Sequence, residues 1–192
     1  MQKEQLYALL IGGDLRSIGS SNYIVSIIKS QDDFDVLFSF LFCSERLAVM
    51  RAADSVEKIT AIHPEFLKKY KKKILNLLEI AENKELKWHI PELIPRVKWN
   101  KAELEKIRMV LTAWVLNKNE SRIVRVNALQ SLFDIMQQIQ VVSSAEISGY
   151  RKTLQNLMTQ VEKEGIPSLN SRIRKLRKGF TALFFVFWLQ TL

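Results

Sequence analysis

The stretches RLAVMRAADSVEKI (46–59), NKELKWHIPELIPR (83–96) and RIVRVNALQSLFDI (122–135) decide the fold. They align without gaps at offsets of 37 and 39 residues, with apolar side chains at helical spacing. Val49, Leu86 and Arg125 share one position, Ala52, His89 and Ala128 a second, and Val56, Leu93 and Leu132 a third. A helix with one apolar stripe cannot bury it alone, so each unit needs a partner helix and the units are expected to stack. Ala52, Ala53 and Ala128 are small enough for helices to cross closely there. The middle unit departs from the pattern with His89 and with Pro91 where the first has Asp54. Proline inside a helix removes a backbone bond and tilts the preceding turn.

Outward from these units the pattern stays helical. Residues 1–10 predict a short helix ending at Gly12 and Gly13, and GGDLRSIGSSN (12–22) reads as a loop. Asn22 is the expected cap of YIVSIIK (23–29). A further helix is expected after Asp32, with Phe34, Leu37, Phe38, Leu41 and Phe42 as its stripe. In 44–62 the inward set is Leu47, Val49, Ala52, Ala53, Val56 and Ile59. Pro64 suits the first turn before FLKKYKKKILNLLEIA (66–81), which reads as one helix. Pro91 and Pro95 bend or shorten 86–97, Asn100 caps 99–116, and Ser143 or Ser144 caps 145–164, which ends at Gly165 and Pro167. A basic helix, SLNSRIRKLRK (168–178), then precedes an apolar tail, GFTALFFVFWLQTL (179–192).

With RAADSVEKITAIHPEFLKKY, AENKELKWHIPELIPRV and NESRIVRVNALQSL in view, the chain resembles the HEAT and armadillo-type repeat proteins, and more narrowly small bacterial HEAT-like proteins. The resemblance covers about 44–132, with looser continuation to 178. It implies one all-α domain over 1–192, a short right-handed superhelical stack of antiparallel helix pairs. It implies partner binding rather than catalysis. One branch of HEAT-like proteins consists of glycosylases acting on alkylated DNA. Their site needs a carboxylate and aromatics in a basic cleft, and Trp88, Trp99 and Trp114 do not match that constellation in sequence.

The 192 residues carry a formal charge of +9, with 47% hydrophobic and 26% charged residues and only 6 glycines and 4 prolines. That is a globular balance with a field that attracts nucleic acid, membrane surfaces or acidic proteins alike. The one cysteine, Cys43, excludes an intrachain disulfide and reads as a buried small side chain. The start MQKEQLYALL lacks the order of a secretory leader, so a cytoplasmic setting is expected. Two histidines and one cysteine without ligand spacing predict no zinc site, and no cofactor is expected. His63 is expected to make a capping or backbone bond. No Gly-rich phosphate loop, nucleophile elbow or zinc-protease helix occurs, and the acid pairs Glu103/Glu105 and Glu82/Glu85 are poorly placed for acid–base chemistry, so no catalytic residue is assigned.

Candidate surfaces remain. Lys68, Lys69, Lys71, Lys72 and Lys73 crowd into KKYKKK, either as a solvated face or as an anion-binding patch. Arg172, Arg174, Lys175, Arg177 and Lys178 form a second basic cluster, on a helix that Ile173 and Leu176 would dock. Trp88 reads as a half-buried packing residue or as an anchor for a partner. Arg46 and Arg122 occupy equivalent positions, and each grips either an anionic partner or a neighbouring helix end. The tail has ten apolar residues in thirteen over 180–192, too few to cross a bilayer. It is expected to cap the array or contact a second copy, with peripheral membrane contact as the lesser alternative. The expected function is a non-catalytic interaction or scaffold module with a protein partner. The alternative is a nucleic-acid-binding protein using the basic patches, either a plain binder or a divergent HEAT-like alkylated-DNA glycosylase.

Overall fold

The computed structural model describes residues 2–12, 20–139 and 144–190, with side chains described for 2–12, 20–136 and 147–180. The fold is all-α, and among the described residues no strand occurs. In chain order the helices are α1 (Lys3–Ile11), α2 (Ser21–Ile27), α3 (Gln31–Ser39), α4 (Arg46–Ile62), α5 (Lys71–Ile80), α6 (Lys84–Leu93), α7 (Lys101–Leu116), α8 (Arg122–Ile139), α9 (Ser144–Glu162) and α10 (Pro167–Gln190). Short 3-10 segments at Phe40–Phe42, Pro64–Tyr70 and Ile94–Arg96 link some of them. The chain divides into two compact units, Met1–Glu103 and Leu104–Leu192.

In the first unit α4 is the central element. Helices α1, α2, α3 and α6 all pack against it. A helix touched from many sides must be small and apolar around much of its circumference. Ala48, Ala52, Ala53 and Ser55 are accordingly buried beside Leu47, Val49, Val56 and Ile59. The whole inward set expected for this helix is buried. A larger side chain at Ala52, which is 0% exposed, would overpack the crossing at a cost of about 1–3 kcal/mol.

One charge also lies inside. Arg51 is 0% exposed, and its guanidinium donates to the carbonyl oxygens of Leu10, at 2.8 Å, and of Gly12. Leu10 lies in the last turn of α1, where carbonyls lack helical partners and carry the negative end of the dipole. The second unit repeats the device. Arg125 is 1% exposed, donates through Nε to the Val115 carbonyl at 2.7 Å in the last turn of α7, and pairs with Glu164 at 2.8 Å. Each buried arginine therefore closes the end of an earlier helix.

Within the second unit α8, α9 and α10 pack on one another. Leu169, Ile173, Leu176 and Phe180 form the buried stripe of α10, so the basic segment docks as its spacing predicts. Gly179 makes that docking close: a Cβ there would lie 2.7 Å from Phe133 Cζ. Phe133 meets Phe180 edge-on at 4.9 Å.

Several local expectations change. Asn22 lies inside α2 rather than at its cap; Ser20 is the capping position. Helix α3 begins at Gln31, where the Ser30 side chain accepts from the Asp33 N–H at 3.2 Å, earlier than a start after Asp32. Residues 66–81 are not one helix but a 3-10 segment followed by α5. The basic helix and the tail backbone form one continuous helix, α10, to Gln190. The side chains of 181–192, the loop residues 13–19 and Ser143 lie outside the described residues, as do the roles assigned to them from sequence. Asn100 does cap α7: its Oδ1 accepts from Glu103 N at 2.9 Å while Glu103 returns a bond to Asn100 N–H.

Candidate binding surface

The lysine run is sorted by its backbone. Pro64 opens a 3-10 segment in which residues three apart eclipse one another. Leu67 and Tyr70 share the inward edge and are buried. Lys68 and Lys71 share the next edge, and both line one open pocket of about 470 Å³. Arg96, Val97 and Lys98 form its opposite wall, with Pro64 and Glu65 completing it. Four cations from two separate segments thus converge.

They are not equivalent. Arg96 is fixed: it donates to Glu57 Oε1 at 2.6 Å, to the Glu57 carbonyl and to Thr60 Oγ1 at 2.8 Å. Lys71 pairs with Glu103 at 2.8 Å and lies 5.4 Å from the Trp99 ring centre. Trp99 is itself pinned by a 2.7 Å bond from Nε1 to the Ile94 carbonyl. Lys68 and Lys98 are exposed and make no hydrogen bond or ion pair among the described residues. The Lys71 hydrogen bond holds the Glu103 carboxyl below its ordinary range. Glu65 is also lowered, first by its own backbone N–H and then by His63, whose Nδ1 lies 3.0 Å from Glu65 Oε1. His63 thus bonds a carboxylate by its side chain, while its backbone N–H closes α4 on the Ile59 carbonyl at 2.8 Å, the capping bond expected of it. The pocket has two anchored cations, two available ones and one acid.

Lys69 and Lys73 face elsewhere. Lys69 pairs with Asp35, which also accepts from the Tyr70 hydroxyl. Burial pushes Asp35 upward, but the bonds from Lys69, Tyr70 and Gln31 outweigh it and leave it lowered. Lys73 lies 5.5 Å from the Tyr70 ring centre and 6.0 Å from that of Phe42. Lys72 is exposed.

The other residues singled out from the sequence do not line this pocket. Arg46 is exposed at the start of α4 and pairs with the buried Glu85 of α6, a neighbouring acid as its sequence position allowed. Burial pushes Glu85 up, but the Arg46 bond and a backbone N–H hold it below its ordinary range. Trp88 is half-buried on α6 and does not line the pocket, and Trp114 is buried in α7. Burial holds the His89 imidazole below its ordinary value, outweighing the charges of Asp54 and Glu57. In the second unit Arg122 is exposed at the start of α8. Arg172 donates to Gln130 at 2.6 Å and Arg177 grips Glu162 with two bonds of 3.0 and 2.7 Å. Arg174, Lys175 and Lys178 are exposed on α10. Cys43 is only partly buried, because it sits where the Phe40–Phe42 turn leaves the core, with Sγ 3.6 Å from the Glu45 carbonyl.

Sequence alone missed Arg96, Lys98 and the two buried arginines. Arg96 carried one signal, its place next to Pro95 at the end of an amphipathic helix. Among the described residues no group of three or more His, Cys, Asp or Glu side chains is placed to hold a metal, and no helix is long and apolar enough to cross a membrane. Four side-chain links span 39 residues each: Arg51 to Gly12, Arg46 to Glu85, Arg96 to Glu57 and Arg125 to Glu164. No family model, no curated protein and no solved structure matches the chain.

Proposed function

We propose that the chain is a non-catalytic interaction module of HEAT-like helix pairs that takes an acidic protein segment in the pocket of Lys68, Lys71, Arg96 and Lys98. The observation that carries this reading is the convergence of those four cations, from two segments about thirty residues apart, on one open pocket. The recurrence of 39-residue links supports the repeat reading, since one unit's arginine meets the next unit's acid or helix end.

A protein segment fits better than a nucleic-acid backbone. Lys71 and Arg96 already satisfy Glu103 and Glu57, Glu65 lies in the wall, and Pro64 and Val97 offer apolar contact between the charges. A row of phosphates would meet two available cations and one acid. A peptide with spaced carboxylates and an intervening apolar side chain would meet complementary groups throughout. Trp88 and Trp114 do not line the pocket, and Trp99, whose ring lies 5.4 Å from Lys71 Nζ, is pinned by its bond to the Ile94 carbonyl.

The test is fluorescence anisotropy with a labelled peptide of alternating glutamate and leucine, beside a labelled DNA duplex, at low and near-physiological salt. The reading expects the peptide to bind, and Lys68→Glu with Lys98→Glu to weaken it about tenfold or more. Equal peptide affinity in the double variant, or binding of duplex alone, would refute it.

A further inference from the structure

The acid in the wall of the Lys68–Lys98 pocket is held by a histidine that does not itself line it. His63 donates its backbone N–H to Ile59, and its own carbonyl accepts from Phe66 N–H at 3.2 Å in the first turn of the 3-10 segment. The backbone is thus tied on both sides. The ring stacks on Phe66 at 5.4 Å and 22°, and its Nδ1 lies 3.0 Å from Glu65 Oε1. An ionised carboxylate only accepts hydrogen bonds, so Nδ1 carries the proton and Nε2 is left as the place where a second proton adds. The His63 and Glu65 side chains are 53% and 51% exposed, so that proton comes straight from solvent.

The charges on the neighbouring elements are matched elsewhere. Glu57 of α4 is taken by Arg96, and Lys58 by Asp54. Helix α3 meets Phe66 through Phe34 and the neutral Gln31, while its Asp35 pairs with Lys69. Lys68, in the same 3-10 segment, acts on Glu65. With Lys71 matched by Glu103 and Arg96 by Glu57, the pocket's balance rests on Lys68 and Lys98 against Glu65. An imidazolium beside Glu65 cancels that acid and leaves the two lysines unopposed. Glu65 and Glu103 are both held below the ordinary carboxyl range, so neither loses its charge where an imidazole gains one. The other histidine, His89, lies on α6 and does not line the pocket. We infer, resting on the acidic-segment reading, that His63 makes the pocket pH-sensitive: its hold on an acidic protein segment tightens as the ring takes up a proton and neutralises Glu65. Imidazole is the side chain that changes charge near neutral pH, so mild acidification is enough. One unit charge near a bound carboxylate in so open a pocket changes affinity about threefold.

The experiment uses the full chain and the labelled peptide of alternating glutamate and leucine, with anisotropy read at about pH 6 and about pH 8 at constant ionic strength. The peptide's carboxylates stay ionised at both. The parent binds about threefold more tightly at the lower pH. In His63→Gln, which keeps a donor for Glu65 but takes up no proton, that rise disappears. Glu65→Gln binds about threefold more tightly than the parent at the higher pH. At about pH 7, saturating peptide moves the His63 ring-proton resonance toward its protonated position, because binding and proton uptake are reciprocal; a merely structural histidine would not respond. Circular dichroism checks that His63→Gln folds; should it not, the resonance and Glu65→Gln carry the test. No peptide binding at either pH overturns the acidic-segment reading and the pH response with it. Binding of equal strength at both pH values, the same rise in His63→Gln, or a His63 resonance that the peptide leaves in place overturns the pH response alone.

Discussion

KKYKKK and RIRKLRK look alike as composition but end differently. The first begins on a 3-10 segment, whose threefold repeat gives Lys68 and Lys71 one edge and sends Lys69 and Lys73 toward Asp35 and the aromatic rings. The second lies on an α-helix, where Ile173 and Leu176 claim one face. Its arginines at the margins of that face, Arg172 and Arg177, reach Gln130 and Glu162 and serve docking. A cluster of like charges is thus divided by backbone period and by the acids opposite it. The first yields a cavity with unpaired cations; the second yields a fastened helix with an exposed fringe.

Four experiments press on that contrast. The largest effect belongs to the charge that is fully enclosed. Arg125→Met leaves the Val115 carbonyl and Glu164 without their guanidinium and should lower stability by about 3 kcal/mol in urea denaturation. A loss under ~1 kcal/mol would mean that burial is not what separates structural from available cations. Next, Gly179→Ala drives a methyl into Phe133 and should cost about 2 kcal/mol, visible as a lower thermal midpoint. A neutral result would show α10 to be loosely docked, and the contrast between the two clusters would fade. A smaller effect is expected for Arg177→Ala, whose pair with Glu162 is partly solvated: about 0.5 kcal/mol. Reversing Arg174 and Lys178 to glutamate should leave acidic-peptide affinity within about twofold, whereas reversing Lys68 and Lys98 should not.

The smallest effect is a pH dependence. Glu103 is lowered in the folded state, chiefly by Lys71, so its contribution is present above the ordinary carboxyl value and is lost as pH falls through the lower folded value. Stability measured downward from pH 6 should therefore decline less steeply in Lys71→Ala than in the parent. An unchanged slope would detach Lys71 from Glu103 and leave it available in the pocket.

The helices carried by long stripes were legible because each stripe repeats several times within one element. Leu47 to Ile59 in α4 and Ile173 with Leu176 in α10 are the clear cases. The Asn100 cap was legible because its partner, Glu103, is local. The 64–70 segment was not, since seven residues are too few to separate a period of 3.0 from 3.6. Arg51 could not be recognised as a core residue, because the carbonyls that receive it lie 39 and 41 residues upstream. Lys68 and Lys71 were singled out as candidates, but Arg96 and Lys98 join them only through tertiary packing. Local chemistry was readable where partners are neighbours, and site composition was not where they come from different segments.

The Arg51 contact bears on how the chain tolerates trimming. Helix α1 is only nine residues long and looks dispensable. Yet Leu10 and Gly12 supply carbonyls to a guanidinium that lies wholly within the first unit. Cutting the chain after Gly12 would strand a cation at the heart of α4, a far deeper wound than the missing surface area suggests. During synthesis the order is favourable, because the receiving carbonyls leave the ribosome before the arginine that needs them.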